Sequence, residues 1–327
     1  MTRANSISAI AGLAATALSF LTPSAGLAQA FPNRPVTVVV PYGAGGAGDA
    51  IIRLLATVME KRMGQALIVE SRPGGGGTVG ARHVANAQPD GHTLLLGATN
   101  NFVINQYMFP KQNLDPFHAF ALITKVADVP SVLYAPVALD VSTLADFIKA
   151  AKAAQGKFSY ASPSVGTVPH LAVERLAQMT GAEIVHVPFK GAPPAMQALL
   201  RNDVQLYLAG WGLGRELVEA KKIRALAVAS PARIPGIPLP TASESGVKGF
   251  IAGNWWGLAA PRETPPTILE RLHAEVNFAL QDKTINARLK AMGFVPGGQS
   301  PQVFTSEAKA EAEAWKKTIE TGKLAVQ

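Results

Sequence analysis

The chain has 327 residues, of which 48% are hydrophobic and 16% charged, with a formal net charge of +8. This length is typical of two domains or one large α/β unit, and the absence of cysteine excludes disulfides, thiolate nucleophiles and thiolate metal sites. The positive charge is spread along the chain, so no nucleic-acid partner is expected, whereas a mild positive field suits small anionic ligands.

Residues 1–30 contain the three parts of a secretory signal peptide. Arg3 is the only charged side chain, an apolar run extends from Ile7 to Leu21, and Ala28-Gln29-Ala30 precedes Phe31. A basic start, a short apolar middle and an A-x-A end characterise such segments, and this run is too short to anchor the chain in a bilayer. We therefore expect export to the periplasm and a mature chain that begins at Phe31.

Strands and helices are predicted to alternate along the mature chain. β-branched runs indicate buried strands, and apolar residues three and four positions apart indicate helices. The predicted strands are 36–40, 66–69, 93–96, 158–161, 183–187, 204–208 and 223–229. The predicted helices are 49–63, a segment through 87, one between 143 and 156, then 168–179, 193–200, 215–222, 267–280, 283–292 and 301–321. Strands separated by helices imply parallel sheets with right-handed crossovers.

Two stretches of this alternation predict two lobes. Lobe 1 is expected to contain residues 31–128 and the helical tail 253–327, and lobe 2 residues 129–252. Thr143 and Asp146 form a capping box at the start of one helix. Ser300 and Pro301 are a typical helix start, with serine as N-cap and proline in the first turn.

A glycine-rich loop lies between the first strand and the first helix. It fits G-x-G-x-x-G, and Glu70 ends the next strand where a ribose-binding acid would stand. Pro41 displaces the tight turn from the strand, and an exported protein has no ready nicotinamide pool, so a dinucleotide site is disfavoured. Exposed N–H groups at a helix N-terminus still suit a carboxylate. The ligand contacts expected here are Tyr42, Gly43, Ala44, Gly45 and Gly46.

A second loop joins another strand end to a helix start. Thr167 is the expected N-cap, Pro169 stands in the first turn, and His170 is expected to form a hydrogen bond at the helix start. Plain capping explains these residues as well as ligand binding does, and both interpretations stay open. The ligand contacts expected here are Ser162, Ser164, Gly166, Thr167 and His170.

Three further positions are weaker candidates for the ligand site. Asn100 follows the third strand, Lys190 lies in the turn 188–191, and Trp211 follows another strand end. A structural turn explains each of them equally well.

No arrangement of residues indicates catalysis. Ser162 stands where a G-x-S-x-G elbow needs glycine, and Ser164 and His170 have no evident orienting acid. The six histidines show no metal-ligand spacing. We therefore expect no enzyme activity, no cofactor and no metal.

Several phrases of the sequence are similar, in order and spacing, to one family. They include Pro41–Gly46, Val69–Gly74, Pro89–Leu95, Val187–Gly191 and Trp256–Leu258. Over essentially the whole mature chain they resemble the Bug family, the substrate-binding components of tripartite tricarboxylate transporters.

The resemblance implies an α/β, two-lobed periplasmic-binding-protein fold, with a mainly parallel sheet flanked by helices in each lobe and several crossings between the lobes. It implies that the loops around 42–46 and 162–167 hold a ligand carboxylate, partly through water. The expected ligand is a small organic carboxylate, the expected partner is a membrane permease pair, and the protein itself is expected to be a monomer. A sensory adaptor without a permease is the alternative role.

The sequence departs from the family pattern at two places. Leu208-Ala209-Gly210-Trp211 stands where relatives often end a strand in an acid or amide, and Pro163-Ser164 stands where they often carry Ser-Gly. An acid would suit an ammonium group, so its absence disfavours an amino-acid ligand. A dicarboxylate or an aromatic carboxylate is favoured instead.

Overall fold

The computed structural model describes residues 31–326, and eleven strands are assigned within them. The predicted signal peptide lies outside the described residues. The strands are β1 (Val36–Val40), β2 (Leu67–Ser71), β3 (Thr93–Ala98), β4 (Phe120–Val129), β5 (Ser131–Pro136), β6 (Phe158–Ser162), β7 (Ile184–Pro188), β8 (Leu206–Gly210), β9 (Ile223–Val228), β10 (Asn254–Pro261) and β11 (Val295–Pro296).

Eleven α-helices are assigned in the same part of the chain. They are α1 (Ala47–Met63), α2 (Thr78–Ala85), α3 (Asn105–Met108), α4 (Pro116–Ala119), α5 (Leu144–Ala153), α6 (Val168–Thr180), α7 (Ala192–Leu200), α8 (Trp211–Glu219), α9 (Pro266–Gln281), α10 (Lys283–Ala291) and α11 (Pro301–Gly322). A π-helical turn, Asn100–Ile104, precedes α3.

The strands form two sheets, which confirms the predicted fold class. The first sheet has the order β11-β4-β10-β3-β1-β2, and the second has the order β7-β6-β8-β5-β9. β1 pairs in parallel with β2 and β3, whereas β10 is antiparallel to β3 and β4. In the second sheet β6 is parallel to β7 and β8, and β5 is antiparallel to β8 and β9. The strands of each sheet therefore run mainly in one direction.

Three strands of six to ten residues have no counterpart among the predictions. β4, β5 and β10 were missed because the sequence was interpreted as strand–helix alternation. Only Pro130 separates β4 in the first sheet from β5 in the second, so the chain crosses between the sheets without a helix. All six residues of β5 are buried, which removes the polar alternation that usually marks an antiparallel strand.

Helix ends agree closely with the capping predictions. Thr143 and Asp146 form the predicted capping box at the start of α5. The Ser300 hydroxyl accepts a hydrogen bond from the Val303 N–H, with Pro301 in the first turn. Gly181, in a left-handed conformation, ends α6.

One apolar cluster joins the two sheets. It includes Val39 and Phe102 from the first sheet region and Leu133, Tyr160 and Leu171 from the second. From Pro32 onward the chain forms one compact unit. The predicted lobe boundaries, after residues 128 and 252, stay predictions.

None of the described helices combines the length and hydropathy needed to cross a membrane.

Candidate functional site

Tyr42 is held at the edge of the first sheet by two asparagines. Its hydroxyl oxygen lies 2.8 Å from Asn100 Oδ1 and 2.8 Å from Asn101 Oδ1. A phenol carries one proton, so it donates to one of the two amides at a time. Burial raises the pKa of Tyr42, so the hydroxyl stays neutral. Two predicted site residues, Tyr42 and Asn100, are thus in direct contact.

The glycine turn before α2 packs against this group. The Gly76 carbonyl accepts hydrogen bonds from Asn100 Nδ2 and Asn105 Nδ2, each at 3.0 Å. Gly77 approaches Asn101 so closely that a Cβ on it would lie 2.4 Å from Asn101 Nδ2. Asn101 belongs to the segment after β3 that the sequence offered as a weaker candidate, whereas Asn105 and the glycine turn were not predicted as site residues.

The N-terminus of α1 has N–H groups without an acceptor inside the helix. Residues 43–47 are exposed, as the predicted ligand loop requires. Ala50 donates the first intrahelical hydrogen bond, to the Gly46 carbonyl at 3.0 Å. The N–H groups of Ala47 and Gly48 precede this bond and therefore have no intrahelical acceptor. They can donate to an anion, which the partial positive charge of the helix end also favours.

Asp49 fixes the shape of this loop. One carboxylate oxygen accepts hydrogen bonds from Arg53 Nε at 2.9 Å and from the Gly45 N–H at 3.3 Å. The hydrogen bond from Arg53 helps to lower the pKa of Asp49. The loop is therefore held by an ionised side chain of its own helix, and the Gly45 N–H is already in use.

The N-terminus of α6, on the second sheet, also has N–H groups without an acceptor inside the helix. Leu171 donates the first intrahelical hydrogen bond, to the Thr167 carbonyl at 3.1 Å, so the N–H groups of Val168 and His170 have no intrahelical acceptor. Thr167 is the N-cap, but its hydroxyl donates to the Ser164 carbonyl at 2.7 Å and caps no helix N–H. Ser164 is exposed beside it.

Ser162 and His170 support this loop from inside the protein. Ser162 has no exposed surface, and its hydroxyl lies 2.9 Å from the Ser164 carbonyl and 2.7 Å from His186 Nε2. His170 Nδ1 accepts a hydrogen bond from the Gly166 N–H at 3.1 Å. The rings of His170 and His186 are stacked, with centroids 4.0 Å apart. Both predicted residues therefore position the loop, and neither presents its side chain to solvent.

The stability of the protein should fall as this histidine stack is titrated. Burial, assisted for His170 by the neighbouring His186, lowers the pKa of each ring to about 4, whereas an unfolded histidine has a pKa of about 6.5. Between these values the unfolded chain binds protons that the folded chain does not. The free energy of unfolding should therefore decrease as pH falls from about 6.5 towards 4, by up to about 1.4 kcal/mol per pH unit for each ring.

Urea unfolding at several pH values measures this effect. His186→Gln should give a shallower pH dependence than the wild type, and His83→Gln, which removes an exposed ring outside the stack, should not. Equal slopes for His186→Gln and the wild type would contradict the argument.

Phe109 connects the two glycine-bearing loops. A Cβ on Gly166 would lie 2.9 Å from Phe109 Cζ, and a Cβ on Gly76 would lie 3.6 Å from Phe109 Cε2. The ring therefore touches both the glycine turn that supports Tyr42 and the loop before α6. The turn before α2, on the first sheet, and the loop before α6, on the second, therefore lie close together. Phe109 was not predicted, because an isolated aromatic residue in an irregular segment carries no periodic signal.

Of the two remaining candidates, Lys190 lies beside the second loop and Trp211 is buried in the second sheet's apolar cluster. The N–H groups of Phe189 and Gly191 donate to the carbonyls of Ser162 and Pro163, so the exposed Lys190 lies beside the second loop. Trp211 follows β8, and its side chain, 8% exposed, packs in the apolar cluster of the second sheet. The structure thus brings Lys190, but not the Trp211 indole, to the loops.

Dinucleotide binding and metal binding were the other kinds of site considered from the sequence. Glu70, the candidate ribose-binding acid, forms a salt bridge with Arg72. Within residues 31–326, no group of three histidine, aspartate or glutamate side chains is arranged to hold a metal ion.

Comparison with known proteins identifies the family. Residues 51–324 match the tripartite tricarboxylate transporter family receptor. The UPF0065 protein in the tcbD-tcbE intergenic region of Pseudomonas sp. (strain P51) is 37% identical over 311 residues, which cover 94% of this chain and 92% of that protein.

Two solved structures are similar over nearly their whole length. Rpa4515 of R. palustris with adipate is 33% identical with a TM-score of 0.82, covering 90% of this chain and 99% of that one. MatC (Rpa3494) from Rhodopseudomonas palustris with bound malate is 32% identical with a TM-score of 0.78, covering 88% and 100%. The chain therefore belongs to the receptor family of the tripartite tricarboxylate transporters, as its sequence phrases predicted.

Proposed function

We propose that this protein is a periplasmic receptor that binds a small dicarboxylate between the N-termini of α1 and α6 and delivers it to a membrane permease pair. The observation that carries the proposal is the pair of helix starts, one after a strand of each sheet, whose first N–H groups have no intrahelical acceptor. Each is suited to one carboxylate group. The predicted signal peptide supports the periplasmic location.

The two helix starts offer the bound anion hydrogen-bond donors. The N–H groups at Ala47, Gly48, Val168 and His170 precede the first helical hydrogen bonds, and charge-assisted bonds to such groups are strong. The exposed Lys190 adds a positive charge beside the second loop. Binding would favour the arrangement in which both lobes contact the ligand, by differential contacts alone.

A dicarboxylate without an ammonium group fits the site best. No acidic side chain follows β8, where Gly210 is the N-cap of α8 and the Trp211 indole is buried. An ammonium group would therefore lack the partner that an acid at this position would provide. The similar structures that contain adipate and malate support the same ligand class.

Isothermal titration calorimetry with adipate, malate, terephthalate, citrate, aspartate and glutamate tests the proposal. We expect at least one dicarboxylate without an amino group to bind, and we expect aspartate and glutamate to bind far more weakly. A ligand that binds only the folded state at a hundred times its Kd adds about 2.7 kcal/mol of stability, so a thermal-shift measurement provides an independent check. Tight binding of aspartate or glutamate would contradict the ligand class, and binding of NAD alone would contradict the receptor role.

A further inference from the structure

A cavity lies where the chain crosses between the two sheets. Its volume is about 650 Å³, and it shares no residue with the two ligand loops. The crossing segments around Val129–Ser131 and Ile251–Trp255 form its floor, α11 forms one wall, and residues 229–235, which follow β9 of the second sheet, form the opposite wall. This volume lies within the usual range for small-molecule sites.

The walls of this crossing cavity are mainly apolar. Thirteen of its 22 lining residues are aliphatic, proline or tryptophan. Ile251 and Val295, which line it, are 41% and 37% exposed, so apolar surface faces the open space. Contiguous apolar surface of this kind on a folded chain commonly marks a binding site.

Glu311 makes the tryptophan wall rigid. Its two carboxylate oxygens accept hydrogen bonds from Trp255 Nε1 at 2.7 Å and from Trp315 Nε1 at 3.1 Å. Both indoles line the cavity and are nearly fully buried. Because the polar atoms of both indoles are used inside the protein, only apolar edges of these rings reach the cavity.

The charged side chains around the cavity are already paired with protein groups. Lys125 contacts Asp128 at 3.2 Å and Glu307 at 3.3 Å. Arg233 contacts Glu244 at 3.0 Å, and Arg175 donates to the Ile251 carbonyl at 3.4 Å. Lys125 and Arg233 are thus neutralised by carboxylates, whereas Arg175 and Glu311 form hydrogen bonds to neutral protein groups.

We infer that the crossing cavity is a second binding site, and that it takes a small neutral aromatic molecule. The mainly apolar lining, the two tryptophans fixed by Glu311 and the neutralisation of Lys125 and Arg233 by carboxylates favour a ligand of this class. Because its walls come from both sheets, the site depends on how the two lobes are arranged, and it is separate from the proposed dicarboxylate site.

N-phenyl-1-naphthylamine, a neutral aromatic amine whose fluorescence rises in apolar surroundings, is a suitable probe. We expect the purified protein to bind it saturably. Ala314→Trp on α11 and Ala232→Trp on the opposite wall fill the cavity from two sides, and each should weaken binding at least about tenfold. Glu320→Trp places the same side chain at an exposed position of α11 outside the cavity, and its affinity should stay within about twofold of the wild type.

The inference is overturned if the wild type does not bind the probe, or if both cavity-filling variants bind it like the wild type. It is also overturned if Glu320→Trp weakens binding as much as they do. Calorimetry measures dicarboxylate binding to the same variants. Loss of probe binding with unchanged dicarboxylate affinity concerns the crossing cavity alone, so the two proposed sites can fail separately.

Discussion

Gly45→Leu should weaken dicarboxylate binding at least about tenfold, equivalent to about 1.4 kcal/mol or more. Gly45 is exposed in the loop before α1, and no heavy atom lies within 4 Å of the position that a Cβ would take. The added side chain therefore meets no protein atom and instead occupies the space from which an anion approaches the free N–H groups of α1. Calorimetry of the purified variant measures the loss.

The matched control for this variant is Gly181→Leu. Gly181 has φ +69° and Gly45 has φ +77°, and neither would place a Cβ near another atom. Both leucines adopt the left-handed conformation at a similar cost of about 1–2 kcal/mol, so a difference in affinity between the variants cannot come from backbone strain. Equal affinities in the two variants would place the ligand elsewhere.

The fold could be predicted where short-range signals were strong. β1 lies at the predicted residues 36–40, and the capping residues of α5 and α11 appear as expected. α8 begins at Trp211, four residues before its predicted start, because Gly212 and Gly214 weaken the helical pattern. The strands β4, β5 and β10 were missed because they depart from the strand–helix alternation, as where β4 passes into β5 through Pro130 alone.

The sequence predicted the two loops of the candidate site, but it did not predict which side chains are buried behind them. Glycines and helix starts are local features, and they indicated both loops. Which side chains are buried behind those loops depends on packing between distant segments, as in the stack of His170 on His186 and in the bond from the Tyr42 hydroxyl to the asparagines. Ser162 was therefore expected at the ligand but has no exposed surface.

Gly212→Ala should disturb the arrangement of the two sheets. Gly212 lies in α8, on the second sheet, and the Met292 carbonyl follows α10, which packs against α1 and β11 of the first sheet. A Cβ on Gly212 would lie 2.3 Å from that carbonyl oxygen. Backbone cannot rotate aside as a side chain can, so the two segments must separate. We expect a stability cost of about 1–3 kcal/mol, a larger radius of gyration and a dicarboxylate affinity at least about tenfold lower.

Small-angle scattering and calorimetry measure these two effects, with Leu213→Ala as the control. Leu213 is the next residue of α8 and is 39% exposed, so its truncation leaves the Gly212–Met292 contact in place. If Gly212→Ala lowers stability but leaves the radius of gyration and the affinity unchanged, the contact is a local packing feature. If instead both change together, the close approach of α8 to the end of α10 belongs to the arrangement that holds the ligand, because a ligand favours only the state that it contacts better.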